Sequence, residues 1–326
     1  MSESPRKNIL VIGGAGFLGS HLCDALVKHH NVICVDNFSS GTQSNIDHLL
    51  GNSQFEFIRH DIVTPLDLDQ FPELDKFKVK VVGVTEVYHL ACPTSAKEFE
   101  QFRLATLEAS AWGTRNALEV ARRYQAKFLL FSSSVVYGPR TAQRQLFAED
   151  YVGAVDQLSP RACYDEGRRF AETAVATYRQ VHNLDTKIIR IFRAYGPRMR
   201  LFDGQMIPDF ITNAIDGHEL VIFGDPMMTT SLVYVSDVID AALKVMASTE
   251  AGPFNIGTPQ EYNLTTVAQM IIDGVGSQSK IVYQEPLLFM TPLGLPDITR
   301  AKESLGWLPV VTLEAGLRQT IEYTQA

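Results

Sequence analysis

Residues 8–19, NILVIGGAGFLG, join a short apolar run to three regularly spaced glycines. The run Asn8–Ile12 has the length and composition of a buried parallel strand. Gly13, Gly16 and Gly19 follow it in the spacing G-x-x-G-x-x-G, and a helical pattern begins at once. Glycines at such a turn let the backbone approach a pyrophosphate, which then rests on the helix N-terminus. The stretch therefore predicts a strand, a tight turn and a helix that together bind a dinucleotide.

An acidic residue stands where the second predicted strand ends. This strand is expected at residues 32–35, and Asp36 follows it. A carboxylate at this position of a dinucleotide fold hydrogen-bonds the adenosine ribose and repels a 2′-phosphate, so we expect NAD rather than NADP. Asp61 follows the third predicted strand, and we expect it either to meet the adenine or to be a solvated loop residue.

Strands and helices alternate along the first 192 residues. Further strands are predicted at residues 55–58, 86–90, 127–131 and 187–192, and helices at 17–29, 99–124 and 165–182. This alternation predicts an α/β fold with a Rossmann-like, doubly wound parallel sheet. From residue 193 onward glycines and prolines interrupt the pattern, which indicates a smaller, irregular substrate domain over the carboxyl ends of the strands.

The predicted division of the chain follows from this change of pattern. We assign residues 1–192 to an NAD-binding Rossmann domain and residues 193–326 mainly to a substrate-binding domain. We expect the chain to return to the first domain at about residues 229–254. Residues 69–83 are expected to form a surface excursion before the fourth strand.

Composition excludes several classes of protein. The 326 residues carry 29 Lys+Arg and 37 Asp+Glu, and this net charge of −8 argues against a nucleic-acid partner. Apolar runs are too short to span a bilayer, and the polar residues 1–8 do not resemble a secretory signal. The four cysteines lie far apart without a C-x-x-C motif, which is typical of a cytoplasmic protein with reduced thiols. The histidines show no metal-ligand spacing, so we predict no metal site.

Further motifs carry a resemblance to a known family. Three serines, Ser132 to Ser134, follow the fifth strand, and Tyr164 precedes Arg168 by one helical turn. The chain resembles the extended short-chain dehydrogenase/reductase family of NAD-dependent epimerases and dehydratases, and within it the UDP-glucuronate decarboxylases. The matching segments are FEFIRHDIVTPL (55–66), YHLACP (88–93), PRACYDEGRRFAET (160–173), GPRM (196–199), YVSD (234–237) and PDITRAKESLGWLPVVTLEAGL (296–317).

The resemblance implies a reaction on a nucleotide sugar, with UDP as the expected nucleotide. NAD would be recycled within each turnover, and the sugar would pass through a transient 4-keto form. Tyr164 would take a proton from a sugar hydroxyl while Ser133 binds the same oxygen. Because a free phenol is a weak base at neutral pH, a cation must assist it, and Arg168 would supply that charge and bind the nicotinamide ribose.

The same resemblance implies two sets of binding residues. The set expected to contact NAD is Gly13, Gly16, Phe17, Leu18, Gly19, Asp36, Asn37, Ser39, Gly41, Asp61, Ile62, Leu90, Ala91, Tyr164 and Arg168. The set expected to contact the sugar nucleotide is Ser134, Arg193, Arg198, Gln205 and Phe223.

Several positions depart from the decarboxylase pattern. Arg168 replaces a lysine, Val135 replaces a glutamate and Thr230 replaces an arginine. Arginine keeps the charge but is not interchangeable with an ammonium group. Arg193 replaces an asparagine and would bind a pyrophosphate more strongly. These departures leave two alternatives to decarboxylation, which are a UDP-sugar 4-epimerase and a non-catalytic NAD-binding module.

The resemblance also implies a homodimer. The predicted helix at residues 99–124, which carries Trp112, would pair with the helix at 165–182 to form a four-helix interface with a second copy. Ordinary packing of both helices against the sheet is the alternative, and the two can hold on different helix faces.

Overall fold

Seven parallel strands form the main sheet of this computed structural model, which describes residues 6–95, 101–286 and 291–326. The strands are β1 (Asn8–Ile12), β2 (Asn31–Asp36), β3 (Phe55–Arg59), β4 (Glu86–His89), β5 (Lys127–Ser133), β7 (Thr186–Ile191) and β12 (Phe254–Ile256). Their order across the sheet is β3-β2-β1-β4-β5-β7-β12. The chain leaves β1 toward β2 and later returns to β4 on the other side of β1, so a topological switch point lies there. The predicted doubly wound α/β fold is confirmed.

Helices cover both faces of this sheet. They are α1 (Phe17–Val27), α2 (Val79–Val82), α3 (Arg103–Glu108), α4 (Thr114–Tyr124), α5 (Ala162–His182), α6 (Met206–Ile215), α7 (Val235–Ala247), α8 (Leu264–Val275), α9 (Thr299–Leu305) and α10 (Leu313–Gln325). Alternate residues of β1 enter two separate cores, with Ile9 and Val11 on the side of α1 and α7 and Leu10 and Ile12 on the side of α4 and α5. A strand that is buried on both faces has a continuous apolar sequence. The NILVI segment therefore predicts β1 correctly.

Two predicted segments differ in detail from the structure. Residues 99–100 of the predicted long helix lie outside the described residues, and α3 begins at Arg103. A π-helical segment, Ala109–Gly113, separates α3 from α4. The excursion at residues 69–83 is more than a surface loop, because Leu74 and Phe77 are buried in the core on the side of α4.

Four short strand pairs lie outside the main sheet, and seven of their eight strands come after residue 193. These pairs are β6 (Leu146–Phe147) with β15 (Leu295–Pro296), β8 (Ala194–Tyr195) with β11 (Val233–Tyr234), β9 (Leu220–Phe223) with β14 (Ile281–Gln284), and β10 (Thr229–Thr230) with β13 (Tyr262–Asn263). The chain also enters the main sheet once more as β12, beside β7. The domain boundary after residue 192 stays a prediction.

The C-terminal segment is anchored to α7 by one aspartate. The carboxylate of Asp237 accepts hydrogen bonds from the backbone N–H groups of Val310 and Val311, both at 3.1 Å. The buried Trp307 donates its indole N–H to the carbonyl of Asp237 at 3.0 Å. These bonds connect the YVSD segment (234–237) to the GWLPVV segment (306–311). Within the described residues, no helix is long and apolar enough to cross a membrane.

Candidate active site

A cavity of about 1040 Å³ opens at the carboxyl ends of the main strands. Open α/β sheets bind their ligands at this edge, next to the switch point. The sequence-predicted residues on its wall are Gly13, Gly16, Phe17, Leu18, Gly19, Asp36, Asn37, Ser39, Asp61, Ile62, Leu90, Ala91, Ser133, Ser134, Tyr164, Arg168, Arg193, Arg198, Gln205 and Phe223. Gly41 lies off the cavity wall, and a Cβ there would come within 3.1 Å of the Asp36 carboxylate.

The glycine turn brings bare backbone to one end of the cavity. Gly13 has a φ of +86°, and a Cβ there would lie 2.7 Å from the backbone nitrogen of Ala91. A Cβ on Gly19 would overlap the carbonyl oxygen of Gly13. Gly16 is the N-cap of α1 and places no side chain over the first turn. The free N–H groups of that turn therefore face the cavity as an anion site.

Asp36 connects this turn to the end of β2. Its carboxylate accepts hydrogen bonds from the backbone N–H of Ala15 at 3.0 Å and from that of Phe38 at 2.8 Å. Burial raises the pKa of Asp36, and these backbone donors oppose the rise. Nearby, Asn37 donates to the carboxylate of Asp61 at 3.1 Å. The exposed backbone and the fixed carboxylate fit the pyrophosphate and adenosine ribose of NAD.

Ser133, Tyr164 and Arg168 all lie on the cavity wall. Tyr164 lies in the first turn of α5 and is 6% exposed, while Arg168 is one turn further and 2% exposed. The guanidinium carbon of Arg168 lies 5.4 Å from the centroid of the Tyr164 ring, and Nη1 donates to the carbonyl of Phe131 at 3.2 Å. The Ser133 hydroxyl caps the turn after β5 by accepting the N–H of Val135 at 3.4 Å.

The positive charge at Arg168 is permanent. Burial alone would lower the pKa of its guanidinium, but Cys92, Tyr164 and Glu172 together raise that pKa above its ordinary value. The neighbouring His89 is uncharged, because burial and the charge of Arg168 lower its pKa to about 3. A guanidinium that stays protonated can stabilise a nearby negative charge but cannot relay protons.

A buried polar network lies behind these residues. Glu172 lies two turns after Tyr164 on α5. Its carboxylate accepts hydrogen bonds from the hydroxyl of Ser132 at 2.6 Å and from the guanidinium of Arg190 at 2.7 Å. Arg190 also donates to the hydroxyl of Tyr137 at 2.8 Å. The network connects the ends of β5 and β7 to α5. The i, i+4, i+8 spacing places Glu172 on the same face of α5 as Tyr164 and Arg168, but it does not predict the partners on β5 and β7.

The departures from the decarboxylase pattern lie on the cavity wall. Val135 packs with Tyr164, and Cys92, Cys163 and Leu293 complete this apolar cluster. The Sγ atom of Cys92 lies 3.4 Å from the hydroxyl oxygen of Ser110. Thr230 is buried, and its hydroxyl donates to the carbonyl of Ser231 at 3.3 Å.

The side chains predicted to bind substrate differ in their partners. Arg198 forms an ion pair with Asp24 at 2.7 Å. Gln205 donates its side-chain amide to Asp203 at 2.9 Å. Burial and the charges of two other arginines lower the pKa of Arg193 to about 10. Among the described residues, no group of three or more His, Cys, Asp or Glu side chains is arranged to hold a metal ion.

Comparisons with known proteins agree with this geometry. The family model "NAD dependent epimerase/dehydratase family" matches residues 9–257. UDP-glucuronic acid decarboxylase 1 of Xenopus tropicalis is 40% identical over 99% of this chain and 73% of its own length. UDP-glucuronic acid decarboxylase 1 of Arabidopsis thaliana is 37% identical over 97% of this chain and 69% of its own.

Solved structures show the same fold over nearly the whole chain. UDP-glucuronic acid 4-epimerase from Bacillus cereus, in complex with UDP-glucuronic acid and NAD, is 27% identical with a TM-score of 0.85 and covers 98% of this chain and 99% of its own. UDP-glucose 4-epimerase from Thermotoga maritima is 28% identical with a TM-score of 0.85 and covers 98% of each chain. The chain therefore belongs to the NAD-dependent epimerase/dehydratase family of enzymes, as its sequence motifs predict, and its cofactor is NAD.

Proposed function

We propose that this enzyme acts on a UDP-linked sugar and decarboxylates UDP-glucuronate through a transient 4-keto sugar. The observation that carries the proposal is the convergence of Ser133, Tyr164 and Arg168 in one cavity with the glycine turn and Asp36. The relatives from Xenopus tropicalis and Arabidopsis thaliana, 40% and 37% identical over nearly the whole chain, are both named UDP-glucuronic acid decarboxylase 1, which supports this choice of substrate.

The proposed chemistry begins at the C4 hydroxyl of the sugar. Tyr164 removes the hydroxyl proton, Ser133 hydrogen-bonds the same oxygen, and the fixed charge of Arg168 stabilises the phenolate. Bound NAD would supply the acceptor for the C4 hydride and, later in the turnover, its donor. The C4 ketone accepts the electron pair released when the bond between C5 and the carboxylate breaks, so CO₂ leaves and an enolate forms. A proton from solvent then adds at C5 and restores the C4 ketone, and Tyr164 returns its own proton to the C4 oxygen as the ketone is reduced again.

Val135 limits the reactions that this site supports. Elimination of water from the sugar requires a further acid–base pair, and Val135 supplies no carboxyl group beside Tyr164. Decarboxylation and 4-epimerisation both begin with the oxidation that Ser133, Tyr164 and Arg168 serve. The two reactions differ in whether the ketone loses CO₂ or receives the hydride on its other face.

One incubation tests the proposal. Purified protein, NAD and UDP-glucuronate are incubated, and the products are examined by mass spectrometry and NMR. We expect the wild type to release CO₂ and form a UDP-pentose. We expect the Tyr164→Phe variant to bind NAD but to form no product. A product of unchanged mass with inverted C4 would identify a 4-epimerase instead. Retained NAD binding without any turnover would favour the non-catalytic module.

We also propose a homodimer formed through α3, α4 and α5. Leu104 is 75% exposed, Trp112 is 54% exposed and Phe170 is 52% exposed. Three large apolar side chains exposed on adjoining helices are typical of a protein–protein interface. We place the protein in the cytoplasm, and the unbridged, buried Cys23 and Cys34 support that placement.

A further inference from the structure

We propose that Cys92, activated by Arg168, is a site of covalent modification inside the cavity, where a peroxide oxidises its thiol to a sulfenic acid and stops turnover. Cys92 and Arg168 both line the cavity. Cys92 packs against the cluster of Val135 and Tyr164, as the second thiol of Cys163 does. The inference goes beyond the proposed function and does not depend on which sugar nucleotide the enzyme converts.

Cys92 is the thiol that a small molecule in the cavity reaches first. Cys23 and Cys34 are fully buried in the core. Cys163 is half-buried, lies off the cavity wall, and has a thiol whose pKa is raised by burial. Cys92 is also half-buried, but it lies on the cavity wall. A reagent that enters the cavity therefore meets Cys92 before the other three thiols.

The charge beside Cys92 favours the reactive form of its thiol. Burial lowers the pKa of Arg168, but its neighbours raise it overall, and the electrostatic effect of Cys92 is larger than that of Tyr164 or Glu172. Because such effects weaken with distance, the sulfur and the guanidinium are close neighbours. A fixed cation next to a cysteine stabilises the thiolate, which is the nucleophile.

Polar neighbours hold the sulfur in place. The Cys92 thiol donates to the carbonyl of Pro93 at 3.3 Å, and its Sγ atom lies 3.4 Å from the hydroxyl oxygen of Ser110. Ser110 is buried on the π-helical segment Ala109–Gly113, and such segments are frequent at functional sites. A Cβ on Gly167 of α5 would lie 2.8 Å from the Ser110 hydroxyl, so close packing fixes this group beside the sulfur.

The oxidation is a two-electron step with hydrogen peroxide as the oxidant. The Cys92 thiolate attacks one oxygen of the peroxide, so an S–O bond forms as the O–O bond breaks. Sulfur is oxidised, and the second oxygen leaves as hydroxide and takes a proton from solvent. Dithiothreitol reverses the step, because its first thiol displaces water to form a mixed disulfide and its second thiol then displaces the Cys92 thiolate.

The added oxygen would compete with Tyr164 for the guanidinium. Across residues 6–95, 101–286 and 291–326, the buried Nε of Arg168 has no hydrogen-bond partner. An oxygen on the Cys92 sulfur would give this N–H an acceptor close by. Arg168 would then be held toward Cys92 instead of over the Tyr164 ring, and the phenolate would lose its stabilising cation. Oxidation of one sulfur atom therefore stops turnover.

A labelling experiment tests the site without a sugar substrate. The wild type, Cys92→Ser and Cys163→Ser are treated with hydrogen peroxide and with dimedone, which adds to sulfenic acids, and the labelled peptide is identified by mass spectrometry. Cys163→Ser is the matched control, because it removes a thiol of the same cluster that lies off the cavity wall. We expect the label on Cys92 in the wild type and Cys163→Ser, and no label in Cys92→Ser. Equal labelling of several cysteines, or labelling of Cys163 alone, would overturn the proposal.

The rate of alkylation by iodoacetamide measures the effect of Arg168. We expect Arg168→Met to slow the alkylation of Cys92 by about tenfold or more, because the cation that favours the thiolate is lost. Arg168→Lys keeps the charge and should retain most of the rate. Circular dichroism spectra of both variants check that they fold. The same rate in the wild type and Arg168→Met would contradict activation of Cys92 by Arg168.

Turnover before and after peroxide treatment connects the site to catalysis. We expect the conversion of UDP-glucuronate by the wild type and Cys163→Ser to fall by about tenfold or more and to recover in dithiothreitol. Cys92→Ser should keep the activity it had before treatment, and a loss in Cys92→Ser equal to that of the wild type would overturn the proposal. If the untreated wild type converts no UDP-glucuronate, the proposed function is wrong, but the two labelling experiments still decide whether Cys92 is the modification site.

Discussion

The Arg168 guanidinium lies over the Tyr164 ring, with its central carbon 5.4 Å from the ring centroid, and donates to the carbonyl of Phe131 at 3.2 Å. One turn of α5 separates the two side chains, so the helix itself sets their spacing. The bond to Phe131 fixes the cation from the sheet side. A cation over an aromatic face gains about 0.5–2 kcal/mol, and more attraction arises once the phenol carries a negative charge.

Substitutions of Arg168 test how much of this arrangement the reaction uses. Arg168→Met removes the charge, and we expect kcat/KM for UDP-glucuronate to fall by about a hundredfold or more. Arg168→Lys keeps the charge but lacks the planar fork, so a fall of about tenfold is expected. Steady-state product formation measures both, with the circular dichroism spectrum and the melting temperature as checks on folding. Higher activity in Arg168→Lys would show that the arginine is not adapted to this reaction.

The sequence predicts the parts of the site that depend on local pattern. The glycine turn and Asp36 follow directly from the NILVIGGAGFLG stretch and the strand after it, because each lies within a few residues of a strand end. The Tyr164–Arg168 pair follows from helical spacing. The Glu172–Arg190 bond at 2.7 Å is not predictable in this way, because it joins α5 to β7 through the fold.

Asp36 should control the choice between NAD and NADP. Its carboxylate is fixed by the N–H groups of Ala15 and Phe38, so its negative charge has a defined place beside the dinucleotide. Asp36→Asn keeps an acceptor and removes the charge that repels a 2′-phosphate. We expect the preference for NAD over NADP to fall by about tenfold, which corresponds to about 1.4 kcal/mol of Coulomb repulsion.

Dissociation constants for both nucleotides, measured by fluorescence titration, check this expectation. Asp47→Asn is a suitable control, because Asp47 is exposed and lies outside the cavity wall. An unchanged preference in Asp36→Asn would show that other groups exclude NADP.

The proposed dimer depends on Trp112, which is 54% exposed on the π-helical segment between α3 and α4. Buried tryptophans commonly cost 2 kcal/mol or more when removed from an interface, and a carboxylate in their place adds a desolvation penalty. We therefore expect the wild type to be a dimer and Trp112→Glu to be a monomer by analytical ultracentrifugation. Val81→Glu introduces the same charge at an 83% exposed position on α2 and should remain dimeric. A monomeric wild type would contradict the proposed interface.

The irregular half of the chain shows where sequence patterns reach their limit. Its paired strands are two to four residues long, which is too short to show a reliable alternation of apolar and polar residues. Their pairing joins distant positions, such as Leu146 with Leu295. The resemblance to a known family, rather than periodicity, identifies Gln205 and Phe223 as wall residues. The chain returns to the main sheet as β12, which is only three residues long and fully buried. Its parallel pairing with β7, rather than a sequence pattern, identifies it as a strand.

His89 should make the folded protein sensitive to acid. It is fully buried at the end of β4, with Nε2 3.2 Å from the hydroxyl of Thr114, and burial together with Arg168 lowers its pKa from 6.5 to about 3. Between these values the unfolded chain binds a proton at this residue that the folded protein does not bind. The contribution of His89 to stability is therefore complete above pH 6.5 and is lost as the pH falls below it. The loss is about 1.4 kcal/mol per pH unit, or about 2 kcal/mol at pH 5.

Urea unfolding of the wild type, His89→Gln and His218→Gln at pH 7 and pH 5 isolates this contribution. His218 is exposed, so its substitution should leave the pH dependence as in the wild type. His89→Gln carries no titrating group at residue 89, and the free energy of unfolding should fall less between the two pH values, by about 2 kcal/mol. Carboxyl groups with a raised pKa, such as Asp36, increase the free energy of unfolding as the pH falls. This increase is the same in all three proteins, so it does not affect the comparison. The same fall in all three would mean that His89 takes up its proton in the folded state.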